Sequence, residues 1–184
     1  MRVMITRSTR SLAIIAGLAC GLAAMATARA EAPDGSGDAT AVTKDATGKY
    51  LDKDGNPTFK VQADGTLDWF AYSGFRRYHS ECHVCHGPEG EGSSYAPALK
   101  ESLKTLSYAD FMNVVVNGRI NVNSAQNNVM PAFGTNSNVM CYLDDIFVYI
   151  RARTHEAVPR GRPAGREDKT PAQADAEKAC LPPG

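Results

Sequence analysis

Cys82-His83-Val84-Cys85-His86 constrains this chain more than any other stretch of it. A Cys-x-x-Cys-His run is the attachment signature of a c-type haem. Two intervening residues form one tight turn, so both thiols can reach neighbouring vinyl groups of a single macrocycle as thioethers. The histidine that follows then lies under the iron as its proximal ligand. A segment fixed in this way holds a large apolar cofactor inside a small domain. A redox dithiol or half of a zinc site also uses Cys-x-x-Cys. The chain offers no second Cys-x-x-Cys and no His-x-x-x-His to complete a zinc site.

The N-terminus reads as an export signal over residues 1–30. Arg2, Arg7 and Arg10 form a basic region, Leu12 to Met25 an apolar Ala-rich run, and Ala28-Arg29-Ala30 a small-x-small cleavage site. The run is too short and Ala-rich for a membrane span, so no membrane anchor is expected. Gly17-Leu18-Ala19 ahead of Cys20 fits a lipobox poorly. Covalent haem and an export signal together place the expected mature chain, 31–184, in the periplasm.

Four arginines and no acidic residue lie in 1–30, which leaves 16 basic against 20 acidic residues, a net of −4. That balance argues against nucleic acid as a partner. The acids concentrate early: residues 31–70 carry four basic and eight acidic side chains, whereas 151–184 carry seven and five. Of the cysteines, Cys82 and Cys85 go to haem. Cys141 and Cys180 remain as an even pair in an oxidising compartment, and a disulfide between them is expected.

Residues 31–48 are small, polar and Gly-rich, a disordered leader by composition. Residues 49–65 read as a hairpin extension, with strand-like runs at 49–51 and 58–61 about the turn Asp52-Lys53-Asp54-Gly55-Asn56-Pro57. The turn superficially resembles the start of an EF-hand loop. Its glycine comes at position four rather than six, however, and Ala63 stands where the closing Glu belongs.

From Thr66 the period becomes helical: Leu67, Phe70, Ala71, Gly74, Phe75 and Tyr78 fall on one face. Gly74 on that face is costly in a helix unless another helix crosses closely there. A second helix is expected over 107–117, capped by Ser107 and ended by Gly118. A third is expected over about 138–153, with Val139, Leu143, Ile146, Phe147 and Ile150 as its apolar stripe. Residues 154–184 turn Pro-, Gly- and Ala-rich and read as an extended C-terminal arm.

The iron's sixth position decides between electron transfer and ligand chemistry. Met130, in Met130-Pro131-Ala132-Phe133-Gly134, is the expected axial ligand, on a segment that Pro131 keeps non-helical. A thioether favours the ferrous state and raises the potential relative to bis-histidine ligation. Met112 and Met140 lie on helices, and His155 lies past the last helix. His79 is too near the attachment turn to reach the far face, and His83 lies between the cysteines, where side chains usually point outward. Most methionines are core fillers, which is the competing role for Met130. Pro97 is the expected partner of His86: its carbonyl would accept the Nδ1 proton and fix the ring.

Over about 66–153 the chain resembles class I cytochrome c. The resemblance rests on Gly74-x-x-x-Tyr78-x-x-x-Cys82-x-x-Cys85-His86-Gly87, Ala96-Pro97-Ala98-Leu99, Met130-Pro131-Ala132-Phe133-Gly134 and residues 142–150. It implies an all-α class I cytochrome c fold in which the first and last helices cross at Gly74. To this the sequence adds the small N-terminal hairpin extension and the C-terminal arm. Residues 68–79, 95–100 and 138–145 look like the methanol-metabolism-related cytochromes. That narrower resemblance implies a soluble single-haem carrier similar in role to cytochrome cL, not an enzyme. Its electrons would come from a quinoprotein (PQQ) methanol dehydrogenase and pass to a downstream c-type cytochrome or terminal oxidase. A carrier for another periplasmic dehydrogenase, a haem sensor or enzyme with an open sixth position, and a subunit docked in a respiratory complex are the alternatives.

Overall fold

A computed structural model describes residues 37–122 and 127–183. The expected signal segment, 1–30, lies outside the described residues. Secondary structure begins with β1 (Thr43–Lys44) and β2 (Tyr50–Leu51), followed by α1 (Trp69–Glu81), α2 (His83–His86) and a single 3-10 turn at Pro88–Gly90. Next come α3 (Leu99–Ser102), α4 (Tyr108–Asn117), β3 (Arg119–Val122) and β4 (Asn127–Met130). The chain closes with α5 (Ser137–Met140), α6 (Leu143–Thr154) and α7 (Pro171–Cys180).

The frame is the crossing of α1 and α6. Asp68 caps α1 by accepting from the Ala71 N–H at 2.9 Å, and the helix runs to Cys82, whose N–H closes on the Tyr78 carbonyl. Phe70, Ala71 and Tyr78 of α1 meet Ile146, Phe147, Tyr149 and Ile150 of α6 in one core cluster. A side chain at Gly74 would collide with the Asp145 backbone, so the glycine is what lets the two helices touch. Around this crossing, α4 adds Phe111 and Val115, with Phe111 tilted against Phe147 at 5.2 Å between ring centroids.

The second expected helix is α4: Ser107 Oγ accepts from the Asp110 N–H, and Gly118 (φ 73°) ends it. The third is divided. Tyr142 leaves the helical region (φ −131°, ψ 18°) between α5 and α6, and its buried ring lies under the Arg77 guanidinium, 3.6 Å from the ring centroid.

Both flanks depart from expectation. Within the stretch read as a disordered leader, Thr43–Lys44 pairs antiparallel with Tyr50–Leu51. The turn over 52–57 forms, with Asp52 Oδ1 accepting from the N–H groups of Asp54 and Asn56, each at 2.9 Å. Residues 58–61 do not continue a strand beyond it. Only an isolated bridge joins Leu51 to Pro57, made by the Asp52 N–H on the Asn56 carbonyl and the Thr58 N–H on the Tyr50 carbonyl. The Asp52 carboxylate also takes a 2.8 Å bond from Arg151 Nη2, so this turn is closed by a guanidinium and not arranged as a calcium loop.

The C-terminal arm is not extended throughout, because its end folds as α7. Thr170 Oγ1 caps that helix at the Gln173 N–H, Pro171 opens its first turn, and alanines fill it, which together outweigh the breaker-rich residues before it. Cys141 and Cys180 are joined as a disulfide, with 5.7 Å between their Cα atoms. The arm is also stitched at Leu67, whose N–H donates to the Gly165 carbonyl and whose carbonyl accepts from the Glu167 N–H. No helix among the described residues is long and apolar enough to cross a membrane.

Candidate haem site

Cys82, Cys85 and His86 are gathered by one helical turn. The Cys82 carbonyl accepts from both the Cys85 and the His86 N–H groups. Neither cysteine is in a disulfide, and Cys82 is half-buried while Cys85 is exposed. Burial pushes the Cys82 thiol up to about 12, helped by the neighbouring Glu81 and Cys85. Reactive thiols of redox proteins have depressed values, and Cys82 is shifted the opposite way. Among the described residues no three His, Cys, Asp or Glu side chains are grouped to hold a metal ion, so a zinc reading finds no second ligand pair.

His86 is buried, and its Nδ1 lies 2.9 Å from the Pro97 carbonyl, as expected from the sequence. Nδ1 must therefore carry the proton, which leaves the Nε2 lone pair available to a metal. Desolvation lowers the affinity of the ring for a second proton and outweighs the opposing pull of the Pro97 carbonyl, so the imidazole is held neutral. An imidazole oriented through Nδ1, next to two cysteines in one turn, fits the donor set of a covalently attached haem.

The loop after His86 is more firmly held than the sequence reveals. Tyr78 Oη donates to the Gly87 carbonyl at 2.6 Å, and the Gly92 N–H donates to the His86 carbonyl at 2.7 Å. Gly92 (φ 84°) passes so close to Ala98 that a Cβ would stand 2.7 Å from its nitrogen. Ser93 Oγ donates to the Cys85 carbonyl. Glu89, at φ 52°, is buried and accepts from the Gly161 N–H at 2.9 Å, while Arg153 donates to its carbonyl. Tyr78, Gly92, Ser93, Glu89 and Arg153 thus position the attachment turn. Only the glycines of Gly87-Pro88-Glu89-Gly90-Glu91-Gly92 hinted at such a tight loop.

Met130 ends β4, half-buried against the core and paired in register with Arg119. Its segment is anchored to the end of α4 by the Phe133 N–H on the Val115 carbonyl and the Gly134 N–H on the Val116 carbonyl, both at 3.0 Å. Gly118 makes this possible, since a Cβ there would stand 2.6 Å from the Met130 oxygen. Sequence periodicity did not reveal the β3–β4 hairpin that carries this methionine. Met112 and Met140 also pack against the core, from α4 and α5. His79 and His83 stack on one another, each with its Nδ1 at a backbone carbonyl one turn earlier.

Comparison with solved structures finds the c-type cytochrome XoxG from Methylobacterium extorquens AM1. It is 55% identical, with a TM-score of 0.71, over 78% of this chain and 87% of that one. The chain belongs to the class I c-type cytochromes. It is similar to cytochrome c-555 of Methylococcus capsulatus, 41% identical over 52% of this chain and 72% of that protein. It is also 52% identical to cytochrome c-553I of Paracoccus denitrificans over 73% of this chain, a match that spans only 59% of that longer relative. The family described as cytochrome c oxidase, cbb3-type, subunit III, matches residues 71–150. As a member of the class, this cytochrome carries covalently bound haem c and is an electron-transfer protein rather than an enzyme.

Proposed function

We propose that this cytochrome is a periplasmic one-electron carrier that takes electrons from a quinoprotein methanol dehydrogenase. It would pass them to a downstream c-type cytochrome or terminal oxidase. Cys82 and Cys85 would hold the haem as thioethers, and His86 Nε2 and Met130 Sδ would be the residues that ligate its iron. The bound group supplies a one-electron ferric/ferrous couple. The chain's own residues set the terms on which it works. Pro97 locks the tautomer and plane of His86, the Tyr78 and Gly92 hydrogen bonds fix the backbone that carries it, and the α1–α6 core excludes water behind it.

The observation that carries the reading is the buried His86 held by Pro97 in one turn with Cys82 and Cys85, in a fold shared with XoxG. The donor is supported by the resemblance of residues 68–79, 95–100 and 138–145 to methanol-metabolism cytochromes and by the likeness to XoxG. The test is stopped-flow reduction of the ferric cytochrome by methanol dehydrogenase with methanol present. Reduction faster than that of an unrelated acidic cytochrome c is expected. Equal or slower reduction removes the methanol assignment and leaves the electron carrier standing.

A further inference from the structure

Three of the large apolar side chains most open to solvent belong to a single hairpin: Ile120 (77% exposed), Val122 (57%) and Val129 (61%). In the β3–β4 register Ile120 stands opposite Val129, and Arg119 opposite Met130. Directly opposed residues share a face and neighbours alternate. Ile120, Val122 and Val129 therefore share the face turned away from the one Met130 uses against the core. The hydrogen bonds from Phe133 and Gly134 to α4 hold the base of this hairpin in place.

The surrounding sequence is unusually short of charge. Between Asp110 and Asp144 the only ionisable acidic or basic side chain is Arg119. The other polar residues of the two strands are all asparagines. Depletion of charge about exposed apolar side chains is the composition of an interface centre. Apolar patches of a few hundred Å² on monomers are often functional.

We propose that this outer face, carried by Ile120, Val122 and Val129, is where the electron-donating dehydrogenase docks, presenting an uncharged apolar surface. The inference rests on the carrier reading above. Three side chains are too few for a stable homodimer, whose interfaces run to about 2,000 Å² or more, but they suit the centre of a transient redox contact below about 1,200 Å². The hairpin joins this patch directly to Met130, which stands next to Val129 on the opposite face of β4. Because the patch is uncharged, its contribution to the encounter does not fade with salt, unlike steering by charge.

The test uses the full holocytochrome carrying I120T and V129T, which keep β-branching and remove the apolar ends. Reduction by quinoprotein methanol dehydrogenase with methanol should slow at least tenfold, by the same factor at low and high ionic strength. Reduction by ascorbate and the midpoint potential should not change. Unchanged reduction by the dehydrogenase overturns the docking patch and leaves the donor intact. A shifted potential shows that these side chains face the cofactor and also overturns it. A loss confined to oxidation by an acceptor cytochrome, or a wild-type dimer that the substitutions dissociate, assigns the patch to another occupant. If the wild-type protein is itself not reduced by the dehydrogenase, the donor and this assignment fall together.

Discussion

A Cβ added to Gly74 would stand 1.8 Å from the carbonyl oxygen of Asp145, and 2.9 Å from the Cβ of Tyr149. The obstacle is helix backbone, which cannot swing aside as a side chain can. G74A should therefore force α1 and α6 apart and cost about 3 kcal/mol or more, at the upper end of overpacking penalties. Urea denaturation of the holoprotein checks this. A loss below about 1 kcal/mol would mean that the crossing is looser than described.

Met130→Ala should lower the reduction potential and let carbon monoxide bind the ferrous form. Met140→Ala should do neither, since Met140 lies on α5. Optical titration with carbon monoxide separates the two. Binding only in the Met140 variant would transfer the axial role to that sulfur.

The Cys141–Cys180 disulfide closes a separation of 39 residues. Chain-entropy arguments assign a loop of that length about 3–4 kcal/mol. In C141A/C180A the loss should fall short of this, because the stitches at Leu67 still hold the arm. Thermal melts give the loss. Two titratable thiols in the oxidised wild-type protein, beyond the haem-bound pair, would contradict the bridge.

Burial pushes the Asp145 carboxyl up to about 7, against the hydrogen bond from Ser73 and the charge of Lys49, while Asp144 and Glu177 add to the rise. The folded protein therefore binds a proton here that the unfolded chain has released above about pH 4. Stability from this group is whole below that pH and declines as pH rises toward 7. D145N, which needs no ionisation, should flatten this dependence and be relatively more stable at pH 8, by on the order of a few kcal/mol. Parallel urea titrations at pH 5 and pH 8 provide the comparison.

What could be read from the residues follows from the range of the forces involved. Attachment turn, capping residues and apolar stripes are local, and α1, α4 and the joining of Cys141 to Cys180 match what they imply. The Pro97 carbonyl lies 2.9 Å from His86 Nδ1, a contact across only 11 residues of chain. The β3–β4 hairpin escaped because its strands are short and amide-rich, with alternation too brief to register beside the Met130-Pro131 signal. The arm's helix escaped because breakers at 159–165 dominate the composition of a segment whose ten helical residues include four alanines. Glu89 and Arg153 depend on contacts 64 residues apart, beyond the reach of any local pattern.

Arg151 has a consequence for how the molecule is assembled. Fully buried on the last core helix, it donates to Asp52, to the Pro57 carbonyl and to the Asp38 carbonyl, across separations of 99, 94 and 113 residues. The earliest described residues thus close on a group made near the end of the chain. A fragment that ends before Arg151 would lack the guanidinium that joins the Asp52 carboxylate to the Pro57 and Asp38 carbonyls, so the N-terminal turn would lose its seat on the core. Such distant closures are late and slow events in folding, and fragments lacking the last helix should be open to proteases at the N-terminal turn.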